Sequence, residues 1–220
     1  MINTENYLSI KNTIPETVQL IAVSKTKPIE DIAEAYLAGQ RLFGENKAQE
    51  LKVKYEALPK DIEWHFIGHL QSNKIKYIAP FVSLIHSIDS FKLLEEINRY
   101  AQKNNRTISC LLQFHIATED TKFGFDMNEC EAMLQSAEYK SLAHVEIAGV
   151  MGMATYTENE ELIRKEFKQL FANFSYLKEK HFADKNCFKE VSMGMTGDYP
   201  LAIEEGSTMI RIGSAIFGER

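Results

Sequence analysis

Eight times along the chain a short apolar run gives way to a segment with helical periodicity, and this alternation narrows the accessible folds more than any other feature. The runs Leu20 to Val23, Arg41 to Phe43, Asp61 to Ile67, Val82 to His86, Thr107 to Phe114, Val145 to Met151, Cys187 to Ser192 and Thr208 to Ile212 read as strands. No linker rich in Pro, Gly or Ser and no low-complexity segment interrupts them. Strands separated by helices belong to the α/β class with a parallel sheet. Eight such units in 220 residues fit one (β/α)8 TIM barrel, a single domain over residues 1–220. The rival is an open, doubly wound sheet, but no Gly-x-Gly-x-x-Gly follows the first strand to support it.

The intervening segments carry helix signals. A short polar helix is expected over Thr4 to Lys11, and Pro28 to Leu37 has apolar residues at helical spacing and stops at Gly39. A helix through Leu51, Val53 and Tyr55 must end before Pro59, and Phe91, Leu94, Ile97 and Ala101 mark one inner face. Met127 to Gln135 and Asp198 to Glu205 are further helices. Thr157 and Glu160 have the spacing of a capping box opening the longest helix, whose Ile163, Phe167, Leu170, Phe171, Phe174 and Leu177 recur every three or four residues. In the third strand Trp64 and Phe66 share one face, His65 and Ile67 the other.

Apolar residues make up 45% and charged residues 25% of the chain, enough for a sizeable core. A net charge of −6 with no basic tail argues against nucleic-acid binding. The first residues lack the pattern of a secretion signal and no run approaches a membrane span, so a cytoplasmic protein is expected. Cys110, Cys130 and Cys187 are odd in number and widely spaced, consistent with reduced thiols. His65 and His69 are four apart, but no glutamate follows His65, and no metal site is expected.

The chemistry concentrates where the barrel would close. Lys25 follows the first strand at its carboxyl end, where ligands sit in parallel α/β folds. A lysine desolvated there can attack a carbonyl to form a Schiff base. Strand eight lies beside strand one in a barrel, which brings Ser192-Met193-Gly194-Met195-Thr196-Gly197-Asp198 and Arg211-Ile212-Gly213-Ser214 close to Lys25. Both stretches combine glycines with hydroxyls ahead of a helix, a pattern suited to a phosphate. A reactive amine beside phosphate-binding turns describes a site for a phosphorylated aldehyde, of which pyridoxal 5′-phosphate is the obvious cellular example. Arg211 would face inward with Gly213 and donate to the pyridine nitrogen, making the ring a poorer electron sink than an acidic partner would.

Ala22-Val23-Ser24-Lys25, Phe43-Gly44-Glu45-Asn46, Trp64-His65-Phe66-Ile67-Gly68-His69-Leu70-Gln71-Ser72-Asn73-Lys74, the Ser192 to Asp198 stretch and Arg211-Ile212-Gly213-Ser214 closely resemble the pyridoxal phosphate homeostasis proteins, from about Val18 to Arg220. The resemblance implies a barrel similar to the N-terminal domain of alanine racemase, with the cofactor on Lys25 and Arg211 at the pyridine nitrogen. It further implies Ser192, Gly194, Thr196, Gly213 and Ser214 around the phosphate and Asn46 at the ring side. Thr196 stands where many members have serine and keeps the hydroxyl; His69 falls at a variable position. The implied function is binding and supply of pyridoxal phosphate, without established turnover. A monomer is expected, with the cofactor and apo-enzymes that require it as partners. Lys47, Lys74 and Lys122 are candidates for handing it over. Because the chain ends directly after the eighth strand, a second domain carrying an opposing acid/base is not expected, which disfavours a two-base racemase. A weak amino-acid racemase and a Schiff-base aldolase acting on a sugar phosphate are the alternatives.

Overall fold

In the computed structural model, which describes residues 2–118 and 123–218, the apolar runs become β1 (Gln19–Val23), β2 (Leu42–Glu45), β3 (Glu63–Phe66), β4 (Leu84–Ile88), β5 (Ile108–Gln113), β6 (Val145–Met151), β7 (Glu190–Met195) and β8 (Met209–Ile212). Each pairs in parallel with its sequence neighbours, and β8 returns to β1 through registers such as Ile21 with Arg211, so the sheet is a closed barrel. Closure leaves no strand edge open.

The helices are α1 (Thr4–Thr13), α2 (Ile29–Leu37), α3 (Ala48–Ala57), α4 (Phe91–Lys103), α5 (Met127–Gln135), α6 (Ala137–Lys140), α7 (Glu160–His181), α8 (Tyr199–Glu204) and α9 (Ser214–Phe217), with a 3₁₀ turn at Ser72–Tyr77. Strand alternation sorts the side chains into two environments. Outward-facing Phe43, Trp64, Phe66, Ile85, Val191 and Ile210 pack beneath Ile32, Leu51, Leu94, Phe167 and Leu170 of the helices. Inside the barrel, Ile21, Leu42, Leu84, Leu111 and Met209 form an apolar layer. Two residues further along their strands, towards the carboxyl ends, lies a layer of buried polar groups that includes His86, Gln113 and Arg211, joined by His65 and Ser192.

Several local expectations change. The spacing of Thr157 and Glu160 does not make a capping box; Asn159 is the N-cap of α7, its side chain accepting from the Leu162 N–H, while the Thr157 hydroxyl accepts from the Asn159 N–H. A two-sided capping box forms instead at Asp126 and Glu129, opening α5. β4 begins at Leu84, two residues later than expected, and runs to Ile88; β7 begins at Glu190 and runs on to Met195. Pro28 sits at the N-cap of α2, one position before its first turn. Phe171, expected inside, is 40% exposed. Among the described residues, no helix is long and apolar enough to cross a membrane.

Candidate functional site

A cavity of about 430 Å³ opens at the carboxyl ends of the strands. Its walls are Val23, Lys25 and Lys27 after β1, Asn46 after β2, Ile67, Gly68 and His69 after β3, Gln113 and Phe123, Met153 after β6, Met195 and Thr196, and Arg211, Gly213, Ser214 and Gly218. This size lies within the roughly 300–1,000 Å³ of small-molecule sites. Of the residues singled out from the sequence, Lys25, Asn46, Thr196, Arg211, Gly213 and Ser214 share this wall.

Ser192 and Gly194 do not line it, for a reason strand alternation alone could not supply. β7 bulges against β8: Ser192 pairs with Met209 and Met195 with Arg211, so three steps on one strand match two on the other. Gly194, at φ +94°, turns its missing side chain towards α8, where a Cβ would stand 2.6 Å from the Ala202 Cβ. The bulge delivers Met195 to the cavity instead, and Ser192 stays one layer deeper, fully buried.

The segment bearing Lys25 is held on both sides. The Lys54 ammonium, buried on α3, donates to the Ser24 carbonyl at 2.8 Å and to Glu45 and Glu50 carboxylates at 2.7 Å each. The Ser24 hydroxyl donates to Glu45 at 2.6 Å, and the Thr26 N–H donates to Glu50 at 2.7 Å. Thr26 lies at φ +66°, the left-handed region that costs a β-branched residue strain, so this acceptor offsets an unfavourable backbone. Burial raises the Glu45 carboxyl above its ordinary range despite the neighbouring Lys54. Lys27 ties the segment to the last helix, donating to the carbonyls of Phe217 at 2.8 Å and Gly218 at 3.0 Å.

Arg211 is 5% exposed. Its guanidinium donates to Ser192 Oγ at 2.5 Å and to the Gly152 carbonyl at 3.1 Å. Burial lowers its pKa to about 10, a value at which it is still charged at pH 7, and Asp198 partly offsets that burial. At the β7–β8 end, Ser214 Oγ donates to Thr196 Oγ1 at 3.3 Å, and the turn carrying Thr196 is closed by the Met195 N–H on Asp198 at 2.5 Å. A Cβ on Gly213 would stand 3.2 Å from the Val23 carbonyl oxygen, so glycine lets β8 approach β1 here. His69, which falls at a position variable among the resembling proteins, stands on the wall with Nδ1 3.1 Å from Asp89 and its ring against Phe123. Ile67, Gly68, Met153 and Met195 were likewise not selected; the first three lie just past strand ends and Met195 is the last residue of β7. Lys47 and Lys74 border an adjoining depression that shares Asn46 and His69; Lys122 lies outside the described residues.

A closed parallel barrel with an amine after β1 and an inward arginine on β8 defines a class, and the model of the alanine racemase N-terminal domain matches residues 4–220. A pyridoxal phosphate homeostasis protein of Aquifex aeolicus is 42% identical over 204 residues, covering 92% of this chain and 87% of its own. The solved structures of PipY from Synechococcus elongatus superpose with TM-scores of 0.91 without PLP and 0.87 with PLP bound, at 37% and 36% identity, covering 98% of this chain and 99% of theirs. The chain belongs to the pyridoxal phosphate homeostasis protein family.

Proposed function

We propose that this chain binds pyridoxal 5′-phosphate in the cavity above the β8 arginine and helps maintain the cofactor's supply, as a single-domain, monomeric cytoplasmic protein serving apo-enzymes that need it. The observation that carries the reading is the meeting of Lys25, Arg211, Thr196, Gly213 and Ser214 on one wall. That donor set fits the group. Thr196 and Ser214 hydroxyls face each other beside a glycine turn, which suits a phosphate. Asn46 Oδ1 is a buried acceptor with no partner among the described residues, and it stands on the wall where a ring substituent can donate to it. Val23, Ile67 and Met195 supply apolar surface for the ring. The PLP-bound state of the PipY relative supports the same reading.

When bound, the cofactor supplies an aldehyde that condenses reversibly with a primary amine. Lys25 is that amine; Arg211, held by Ser192 and Gly152, donates to the pyridine nitrogen. Ser192 and Gly194 act from behind the wall, the first by gripping Arg211 and the second by shaping the bulge that presents Thr196. Titrating the purified protein with pyridoxal phosphate tests the proposal. The native chain gains a visible absorbance band, and Lys25→Ala gains none while its circular dichroism and thermal midpoint stay close to native. A band retained in Lys25→Ala contradicts the assignment.

A further inference from the structure

Four of the polar groups enclosed by the barrel form one connected chain that begins at the cavity wall. Arg211 on β8 donates to Ser192 Oγ on β7 at 2.5 Å, Ser192 Oγ lies 2.9 Å from His86 Nδ1 on β4, and His86 Nε2 lies 3.0 Å from His65 Nδ1 on β3. Ser192 and His86 are 0% exposed, His65 3% and Arg211 5%. Burying four such groups is costly unless each donor meets an acceptor.

Counting protons fixes the direction of the chain. A guanidinium only donates, so Ser192 Oγ accepts from it and the hydroxyl proton needs an acceptor of its own. His86 Nδ1 fills that role if its proton sits on Nε2, which then donates to His65 Nδ1 and leaves the His65 proton on Nε2. The opposite order would aim two donors at Ser192 Oγ and strand the hydroxyl proton in a fully buried place. Burial also keeps both rings uncharged: the His65 pKa falls to about 4, and that of His86 falls below its usual range through burial, His65 and the Arg211 charge. Asp198 is the carboxylate that offsets the Arg211 charge.

We propose that His86 and His65, acting through Ser192, are positioning residues whose fixed tautomers turn the Ser192 lone pairs towards Arg211 and so lock its guanidinium in the orientation it presents to the cavity. The hydrogen-bond order stands on its own, while its consequence for ligand binding rests on the reading of the cavity as a pyridoxal phosphate site. Without the His86 acceptor the Ser192 hydroxyl is free to rotate its proton towards the guanidinium and oppose it.

Two measurements separate these layers. In the protein without added cofactor, long-range nitrogen–proton correlation spectra of the imidazoles at pH 7 read the tautomers directly. Both His65 and His86 are expected as neutral Nε2–H forms, and His86 becomes a tautomer mixture in Ser192→Ala. An Nδ1–H or doubly protonated ring at either position in the native chain overturns the proposal. With pyridoxal phosphate added, His86→Phe is expected to bind about tenfold more weakly, the scale of one charge-assisted hydrogen bond, and to shift the absorbance maximum. His86→Gln restores both, because its amide oxygen accepts from Ser192 while its nitrogen donates to His65. A folded His86→Phe protein matching the native affinity and spectrum, or a folded His86→Gln protein that restores neither, overturns the positioning role. Where His86→Phe fails to fold, Ser192→Ala takes its place in the binding arm. A native chain that takes up no pyridoxal phosphate contradicts the proposed function, and the tautomers then decide the hydrogen-bond order alone.

Discussion

Lys25 stands between two anchored neighbours: Ser24 and Thr26 on either side are both bound into the Lys54, Glu45 and Glu50 cluster. Lys54 and Glu45 side chains are 4% and 0% exposed, so removing the ammonium leaves a carboxylate buried and unpaired. Lys54→Met should therefore cost about 3–5 kcal/mol in urea unfolding at pH 7. Its pH dependence follows from Glu45, whose folded pKa is already raised by burial and rises further without Lys54. A raised acid binds its proton more readily when folded, so it favours folding at low pH, and this contribution disappears as pH climbs through the folded pKa. The variant should lose less stability at pH 5 than at pH 8, and an equal loss at both would contradict the account. Arg211 invites a second substitution. On the proposed reading, Arg211→Glu replaces a cation with an acid beside the ring nitrogen, favouring its protonated form, so the absorbance of the loaded protein should change. An unchanged spectrum in the folded variant would remove Arg211 from that role.

Among the elements, β7 decides the shape of the site. Its bulge at Gly194 converts an inward Ser192 into an inward Met195 over three residues, and only a residue tolerant of φ +94° with no side chain fits against Ala202. Gly194→Ala should destabilise by about 2 kcal/mol or more, combining left-handed strain with the Ala202 clash, and should weaken cofactor uptake by moving Thr196. A urea midpoint within error of native would refute this. The same bulge marks how far the sequence could be read. Strand alternation put Arg211 and Gly213 on the inner side, and the structure has them there, because β8 keeps its regular pairing with β1 up to the cavity; for β3 it paired His65 with Ile67 on one face without saying which face is inner. The resemblance grouped Ser192 and Gly194 with Thr196 around the phosphate, and the sequence did not show the bulge that separates them, since a bulge adds a residue without a compositional mark beyond one glycine. The start of α7 was misplaced for a related reason: Thr157, Asn159 and Glu160 all suit a helix start, and the hydrogen-bond geometry at Asn159, invisible in the sequence, chooses among them. The histidine chain was not legible in the sequence, because Ser192, the hydroxyl that His86 meets, lies more than a hundred residues away.

At the scale of the whole molecule, the barrel trades apolar filling for polar function in its upper layer, and its stability should carry the mark. His65 has its pKa lowered from 6.5 to about 4 in the folded chain, and His86 is lowered as well. Between those values the unfolded chain binds protons that the folded chain excludes, so stability is full above about pH 6.5 and falls as pH drops towards 4. For His65 alone the loss is on the order of 3 kcal/mol. Urea midpoints across that window should fall in the native protein and flatten when both histidines are replaced by glutamine; a slope kept by the double variant would assign it to other groups. The barrel seam joins the two ends of the chain, with the Asn3 N–H on the Ile216 carbonyl and Lys27 on the carbonyls of Phe217 and Gly218, so the loops around Lys25 and Ser214 are braced by the same closure. The central claim is that one amine, at the end of β1, takes the cofactor. Treating the loaded protein with borohydride, digesting it and weighing the peptides by mass spectrometry tests this most directly. A phosphopyridoxyl mass is expected on the peptide containing Lys25, and an adduct confined to any other lysine would rule Lys25 out.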